Sequence, residues 1–284
     1  FTGGDVLCDD RGYCGQGVAQ GGIVDTPDGK WYAMLFQDSG AVGRIPILLP
    51  VTWKDHFPVF GQNGHVPEEI EVHSTRPGYI YQPLVGSDDF CNGLLPRWQF
   101  NHDPDPRYYH LDALQGTYTI TTREVCTELT QAVNTLTQRM SYPSCAAEVT
   151  VDASALKEGD VAGLCALQGC YAAVGITKHH GKYEVLMLDK KEDVILDMTE
   201  GTVVESHQMD FRLEADFCNM KDEARCYYRV NKGDWLPIGT VHKLYFKLDH
   251  FTGCRFGLFC YAAEETGGSA CFRDFKYYDV DEIS

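Results

Sequence analysis

The carboxylates are the most abundant chemically active side chains, since Asp and Glu number 41 against 24 Lys and Arg. Paired carboxylates support acid–base catalysis when one is protonated and the other is ionised. With so many of them, spacing alone selects no catalytic pair. The chain has neither a GxSxG nucleophile motif nor a GxxxxGKS/T phosphate loop. His179 and His180 precede Gly181 at a turn, which favours a solvated loop over a metal site.

One arginine and several aromatic residues are also chemically versatile. Arg44 follows Gly43 at the end of a hairpin pattern, and a guanidinium presents several fixed donors while it stays charged. Near carboxylates it can also hold their ionisation states apart. Trp98 and the tyrosine pairs at 108–109 and 227–228 could stack on sugar rings. In a strand-rich chain such residues more often fill the core or a sheet face.

Composition excludes several classes of protein. The chain has 284 residues and a formal net charge of −17, so it repels phosphate backbones and anionic membrane surfaces. Nucleic acid and membrane are therefore not expected partners, whereas neutral ligands such as sugars remain compatible. The length allows one large domain or two ordinary ones, and the 44% hydrophobic residues allow a sizeable core. Residue 1 is Phe, so we expect the true N-terminus to lie upstream, and the cellular location stays open.

The twelve cysteines do not form a recognisable metal or disulfide pattern. No CxxC pair occurs, which argues against a zinc ribbon. Several cysteines, such as Cys165 and Cys260, lie in apolar stretches typical of small buried core residues. We expect mostly free buried thiols, with one or more disulfides as the alternative.

Segments with the sequence pattern of β-strands occur along the whole chain, and these strands are expected to position the candidate residues. GGIVDT and KWYAMLFQD are joined by Pro27, Asp28 and Gly29, which predicts a hairpin. The next run, IPILLPVTW, holds Pro46 and Pro50, so we do not expect a regular central strand throughout. Residues 61–87 mix Gly, Pro and charge, which indicates a linker. About 200 residues of short, evenly spaced strands follow, which suggests a two-sheet sandwich of jelly-roll type.

Several of these strands alternate with period two. MDFRLEAD does so from Met209 to Asp216, and Tyr118 and Ile120 are expected to share one face of GTYTITT.

The segment from Gly17 to Gly61, GVAQGGIVDTPDGKWYAMLFQDSGAVGRIPILLPVTWKDHFPVFG, closely resembles a late blade of the five-bladed propeller of glycoside hydrolase family 43. That family includes β-xylosidases and α-L-arabinofuranosidases. LLPRWQFNHDPD, NTLTQR, GDVAGLCALQ and NKGDWLPIG resemble the concanavalin-like sandwich that follows the propeller in one branch. The resemblance implies an all-β chain, with the last part of an incomplete propeller at 1–78 and a jelly-roll sandwich at 79–284.

In the family, the general base, the general acid and a third carboxylate come from the first three blades. The acid lies in a Glu-Gly-Pro context, which this chain lacks, and Glu200-Gly201 falls in the predicted sandwich. The resemblance therefore implies that the catalytic carboxylates lie outside this chain. Either an upstream polypeptide completes the propeller, or the missing blades were lost by truncation of a longer chain. The expected function is the C-terminal portion of an inverting glycosidase acting on xylo- or arabino-oligosaccharides. The alternative is a non-catalytic carbohydrate-binding or scaffold module.

The resemblance also suggests binding residues. Arg44 matches an arginine that hydrogen-bonds substrate hydroxyls from a late blade, and the alternative is a structural pair with Asp38 at the blade edge. Gln37 and Asp38 are weaker candidates for the pocket floor. Many relatives carry a His near the propeller axis where this chain has Ala19, so Gln20 is the candidate to replace it.

A structural calcium ion is the one cofactor that the sequence suggests. Asp88 and Asp89 fall near the first strand of the predicted sandwich, and Asp274 falls near the last. Jelly-roll sugar-binding domains often hold calcium where those strands meet, through carboxylate and carbonyl oxygens. The predicted ligands are Asp89 and Asp274, with surface carboxylates at strand ends as the alternative. No organic cofactor is expected.

Overall fold

The computed structural model describes residues 7, 9–12, 17–192, 197–247 and 252–279. These residues form strands joined by turns, together with three short 3-10 turns at Gly40–Val42, Leu129–Gln131 and Cys218–Met220. The predicted all-β class is thereby confirmed. Over these ranges no helix has the length and apolar character needed to cross a bilayer. Ten described cysteines carry free thiols, as expected, while Cys8 and Cys14 lie outside the described residues.

The first sheet, called the blade sheet below, is a four-stranded antiparallel meander. Its strands are β1 (Val18–Asp25), β2 (Trp31–Asp38), β3 (Arg44–Lys54) and β4 (Phe57–Phe60), paired in that order. The predicted β1–β2 hairpin forms at Pro27–Gly29, where the Gly29 amide donates to the Thr26 carbonyl at 2.8 Å. Gly29 has a φ of 77°, a left-handed conformation that glycine adopts without a steric penalty.

The prediction that IPILLPVTW would not be a regular central strand throughout is confirmed. β3 runs without a break from Arg44 to Lys54 and includes Pro46 and Pro50. The physical reason lies in the pairing, because β4 pairs only with Val51–Lys54. Both prolines therefore lie where β3 has a neighbour on one side only, and an amide is not needed on the open side.

The chain from Gly61 to Ser87 contains no strand and is largely exposed. Its internal pairing includes one isolated bridge between Gln62 and His65. This irregular stretch agrees with the linker predicted at 61–87. The division at residues 78 and 79 falls inside it and stays a prediction.

Two further sheets pack face to face and form the sandwich. Sheet I has the order β13-β12-β11-β10-β18-β8-β5, with β14 also on β12, and sheet II has the order β17-β16-β15-β9-β19-β7-β6. Their bounds are β5 Gln99–Phe100, β6 Tyr109–Asp112, β7 Thr117–Thr121, β8 Leu136–Arg139, β9 Ser144–Asp152, β10 Val161–Leu167, β11 Tyr171–His179, β12 Lys182–Lys190, β13 Asp197–Met198, β14 Thr202–Val204, β15 Gln208–Asp216, β16 Glu223–Val230, β17 Leu236–Lys243, β18 Arg255–Tyr261 and β19 Ser269–Asp279.

The core between the sheets follows the alternation read from the sequence. On β15, Met209, Phe211, Leu213 and Ala215 are buried, while the residues between them face outward. Tyr118 and Ile120 were expected to share one face of β7, and both belong to the same core cluster.

Sheet I has a second buried cluster on its outer face, called the outer cluster below. The segment from Thr122 to Asn134 crosses this face and contributes Cys126, Leu129 and Ala132 to it. Strand residues such as Val161 and Tyr261 form its base. Sheet I is therefore covered on both sides over part of its length, which explains the near-continuous burial of β10 and β11.

Candidate functional site

The blade sheet is joined to the sandwich by the turn between β2 and β3. Ser39 to Gly43, called the docked turn below, are all buried. Ala41 and Val42 belong to the same core cluster as the residues between sheets I and II. The hairpin tip is thus part of the sandwich core, and the strand ends that flank it are held in place by the same packing.

Backbone hydrogen bonds and one carboxylate hold the docked turn. The Ala41 amide donates to Asp222 Oδ1 at 3.1 Å, and the Ala41 carbonyl accepts from the Cys254 amide at 2.9 Å. Asp222 is 6% exposed, and burial raises the pKa of its carboxyl, although the bond from Ala41 opposes this shift. Its backbone carbonyl also accepts from the Leu244 amide at 2.8 Å.

Two glycines permit this close approach. A Cβ on Gly40 would lie 2.6 Å from Asp222 Oδ2, and a Cβ on Gly253 would lie 2.0 Å from the Val42 carbonyl oxygen. Both glycines also have a positive φ. Any larger residue at either position would force the turn away from the sandwich.

Arg44 and Asp38 flank the docked turn directly. They are opposite one another in the β2–β3 register, and Arg44 Nε donates to Asp38 Oδ1 at 2.9 Å. The guanidinium carbon of Arg44 also lies 4.2 Å from the centre of the Phe36 ring. Both side chains of the pair keep 28% exposure. The pairing expected under the structural alternative is present, and the substrate-binding role of Arg44 stays a prediction.

The two glutamine candidates occupy different settings. Gln37 is fully buried and its Nε2 donates to the Asp10 carbonyl at 2.5 Å, so it ties the N-terminal segment to β2. Gln20 is exposed, with a φ of 51°, and lies at a register irregularity between Ala19 and Gly21. The structure therefore does not place Gln20 and Gln37 in one pocket, although both lie at the same end of the blade sheet.

Asp88, beside the predicted calcium ligands, has a clear structural role. Its two carboxylate oxygens accept hydrogen bonds from the Phe90 amide and from Trp98 Nε1, each at 2.8 Å. The Asp88 amide donates to the Phe275 carbonyl. Asp88 thus fixes the buried Trp98, which stacks with Phe90, and the core interpretation of Trp98 holds.

The predicted ligands Asp89 and Asp274 line one open pocket of about 420 Å³ together with Asn92 and Lys276. Asp89 Oδ1 already accepts from the Cys91 amide. Asp274 lies at the irregularity of β19 with a φ of 54°. Among the described residues, no group of three or more His, Cys, Asp or Glu side chains is arranged to hold a metal. Asp88 also lines this pocket, but both of its carboxylate oxygens already accept hydrogen bonds. The two other carboxylates and an amide beside a lysine fit calcium incompletely, so this site stays a prediction.

Other residues considered from sequence fall into structural settings. Tyr109 packs on Phe100 and Tyr118 at the core, and Tyr228 packs against the core cluster. The rings of His179 and His180 lie 4.0 Å apart on an exposed turn, as expected for a solvated loop.

The outer face of sheet II carries a paired ionic network that sequence analysis did not single out. Asp210 is buried and accepts hydrogen bonds from Thr150, Lys232 and Arg229. Burial by itself raises the pKa of the Asp210 carboxyl, but these hydrogen bonds outweigh it and the pKa lies below its usual value. Arg229 also stacks 4.2 Å from the Trp235 ring centre. Because the donors and the acceptor satisfy one another, the network stabilises the sheet face.

Asp222 is the functional residue that sequence reasoning missed. It lies 181 residues from its partner Ala41, and no spacing rule links positions so far apart. The one available signal was the glycine pair of DSGAVG, which indicates a backbone that must bend or approach a neighbour closely.

Comparison with known proteins gives consistent matches. Residues 87–278 match the family described as the beta-xylosidase C-terminal concanavalin A-like domain. A curated beta-xylosidase from Formosa agariphila is 25% identical over 296 residues, covering 93% of this chain and 47% of that protein. The solved structure of a bifunctional GH43-CE protein from Bacteroides eggerthii has a TM-score of 0.86 and 41% identity, over 98% of this chain and 35% of that one.

A second solved structure comes from an engineered family 43 glycoside hydrolase with endo-xylanase and exo-arabinofuranosidase activity. It has a TM-score of 0.84 and 25% identity, and the match covers 93% of this chain and 55% of that one. This chain therefore spans about half the length of these relatives, or less.

A blade sheet docked on a concanavalin-like sandwich defines a two-module β-protein of the propeller-plus-sandwich class. With residues 87–278 matching the family's C-terminal domain and 98% and 93% of the chain aligned to two solved family 43 proteins, the chain belongs to glycoside hydrolase family 43. Its sandwich corresponds to the C-terminal domain of that family.

Proposed function

We propose that this chain is the C-terminal portion of an inverting, exo-acting glycoside hydrolase that removes xylosyl or arabinofuranosyl units from xylan- or arabinan-derived oligosaccharides. Family membership supports hydrolysis of glycosidic bonds, and the names of the relatives support these two sugars. The observation that carries the proposal is the docked turn, because it fixes the strand ends bearing Arg44 and Asp38 against the sandwich.

Arg44 is the residue of this chain that we assign to substrate. Its Nε donates to Asp38, and a guanidinium presents several fixed donors of the kind that bind vicinal sugar hydroxyls. The Arg44 side chain lies beside the buried turn and is partly exposed. Its direction is therefore fixed while it still reaches solvent. In this proposal Asp38 orients Arg44, the exposed Gln20 binds substrate at the same end of the blade sheet, and the buried Gln37 supports this end by holding the N-terminal segment on β2.

The acid and base of hydrolysis are assigned to other blades of the propeller. An inverting mechanism needs two carboxyl groups roughly 6.5–9.5 Å apart with a water between them. Apolar side chains remain exposed on both sides of the blade sheet, including Val24, Met34 and Trp53. Exposed apolar sheet faces favour coverage by neighbouring blades. We therefore propose that a polypeptide carrying those blades is the partner of this chain.

The proposal is tested by hydrolysis of p-nitrophenyl β-xyloside and p-nitrophenyl α-arabinofuranoside. The chain is assayed alone and then with the polypeptide that carries the remaining blades. We expect no turnover by the chain alone, turnover by the combination, and inversion of the anomeric centre by NMR. Turnover by the chain alone would contradict the placement of the catalytic carboxylates, and an inactive combination would favour a binding or scaffold module.

A bound calcium ion at Asp89 and Asp274 is a separate part of the proposal. Calcium would brace the first and last segments of the sandwich. A rise in the melting temperature with added calcium, absent in Asp274→Asn, is the expected result. Equal melting temperatures with calcium and with chelator would contradict a calcium site at these two residues.

A further inference from the structure

The outer face of sheet I carries a groove that the proposed hydrolase function does not use. Its volume is about 550 Å³, within the range of small-molecule sites. It lies where β18 ends at Tyr261, whereas the docked turn contacts Cys254 just before β18 begins. The length of that strand separates the two by about 20 Å.

The floor of the groove is apolar and belongs to the edge of the outer cluster. Val161, Leu186 and Tyr261 form it and are each less than one-tenth exposed. On the rim, Val125 and Met198 line opposite walls and are 52% and 54% exposed. Apolar side chains left half in water on both walls gain free energy when a ligand covers them.

Both walls are anchored to the sheet, so the groove is preformed. On one side Val125 bridges to Ala262, and the Cys126 amide donates to the Ala262 carbonyl at 2.8 Å. On the other side Met198 pairs with Leu188 of β12, and Thr199 Oγ1 accepts from the Met187 amide at 3.0 Å. Binding of a ligand in this groove therefore costs the protein little conformational entropy.

One end of the groove is polar. Glu184 and His179 line it, with 3.7 Å between Glu184 Oε1 and His179 Nδ1. A Cβ on Gly201 would lie 2.3 Å from Glu184 Oε2, so the wall packs directly against the carboxylate. Lys178 also lines this end and its Nζ donates to the Leu156 carbonyl. A ligand hydroxyl at this end meets a carboxylate acceptor.

We propose that this groove is a binding site for a neutral aromatic group that carries a hydroxyl, such as a phenolic ester. The ring would lie on Val161, Leu186 and Tyr261 against the Met198 thioether, which makes favourable contacts with aromatic rings. Its hydroxyl would donate to Glu184. A negative ligand is disfavoured by Glu184 and by the net charge of −17.

A saccharide is a poorer match to the same surface. Its hydroxyls surround the ring, and the Val125, Val161, Leu186 and Met198 side chains would remove water from them without replacing the hydrogen bonds. A plain alkyl chain would offer Glu184 no hydroxyl donor. The combination of an apolar slot with a single polar end selects the phenolic group.

The test measures binding to this chain by NMR titration with four probes. Ethyl p-hydroxycinnamate is compared with ethyl p-methoxycinnamate, with the p-hydroxycinnamate anion and with xylohexaose. We expect the phenolic ester to bind at about 1 mM or better, and the methyl ether and the anion at least fivefold more weakly. Glu184→Gln and Met198→Ala should each weaken the phenolic ester about five- to tenfold, since a charged hydrogen bond or a ring contact is lost.

Glu68→Gln, an exposed carboxylate in the linker, is the matched control and should bind like the parent chain. Melting temperatures confirm that each variant is folded, and both tested side chains are accessible enough to be replaced without opening the core. No binding of the phenolic ester, equal binding of the ester and its methyl ether, or insensitivity to both groove variants would overturn the proposal. Xylohexaose binding that the groove variants weaken would instead assign the groove to saccharide and would also overturn it.

Discussion

The backbone amide of Ala41 donates a 3.1 Å hydrogen bond to the buried carboxylate of Asp222, across 181 positions of sequence. This contact makes the tip of the blade hairpin a part of the sandwich core. The sandwich therefore holds the turn between the end of β2 and the start of β3 in place. Arg44 and Asp38 flank this turn, so the same contact fixes their positions.

Removing the carboxylate acceptor at Asp222 should destabilise the contact between the docked turn and the sandwich. In Asp222→Ala the Ala41 amide stays buried without its partner, which costs about 1–3 kcal/mol. Asp222→Asn keeps an acceptor oxygen, and we expect a loss of less than about 1 kcal/mol. Urea unfolding measures both, with Asp234→Ala on an exposed loop as the control. Equal stability of the Ala variant and the control would show that the contact does not hold the turn.

The close packing around Gly253 gives a second test, with a well-matched control. Gly253 has a φ of 83° and a Cβ there would meet the Val42 carbonyl oxygen, whereas Gly78 has a φ of 80° and nothing within 4 Å. Alanine at Gly78 should cost about 1–2 kcal/mol for the left-handed backbone alone. Alanine at Gly253 should cost at least about 2 kcal/mol more. Similar losses by urea unfolding would mean that the turn is loosely packed.

The buried carboxyl of Asp160 predicts a dependence of stability on pH. Burial raises its pKa to about 6. Its Oδ2 accepts from the Lys157 amide, while Oδ1 has no hydrogen-bond partner among the described residues. Because the folded pKa exceeds the unfolded value, the folded state binds more protons. This group therefore favours folding below about pH 4, and that contribution is lost as the pH rises through about 6.

Asp160→Asn keeps the acceptor for the Lys157 amide and removes the charge. Between pH 4 and pH 7 the variant should gain about 1–3 kcal/mol of stability relative to the parent chain. Denaturant unfolding across this range measures the difference, and Asp152→Asn controls for the loss of a less buried carboxylate. A parent-minus-variant difference that stays constant with pH would contradict the assignment.

Local patterns predicted much of the fold. The Pro27–Gly29 hairpin and the alternating face of Met209 to Ala215 were evident because turn residues and period-two burial are encoded by near neighbours. Pro46 and Pro50 correctly indicated that β3 is not central throughout, because an edge position needs no amide on its open side. The length of β4 could not be predicted, because it depends on pairing between strands. The pairing of Asp88 with Trp98 and the role of Asp222 depend on tertiary contacts, which residue spacing does not reveal. The resemblance, rather than any spacing, pointed to Arg44.

The central claim is that the sandwich-anchored hairpin presents Arg44 to the sugar. Its most direct test is kcat/KM on p-nitrophenyl β-xyloside and p-nitrophenyl α-arabinofuranoside for the complete protein carrying Arg44→Ala. Lys30→Ala, just before the start of β2 and at the opposite end of that strand from Asp38, is the control, and melting temperatures exclude unfolding. We predict a loss of at least about a hundredfold on the preferred substrate, the cost of removing charged hydrogen bonds worth about 3 kcal/mol. Unchanged kcat/KM in a folded Arg44→Ala protein would contradict the claim.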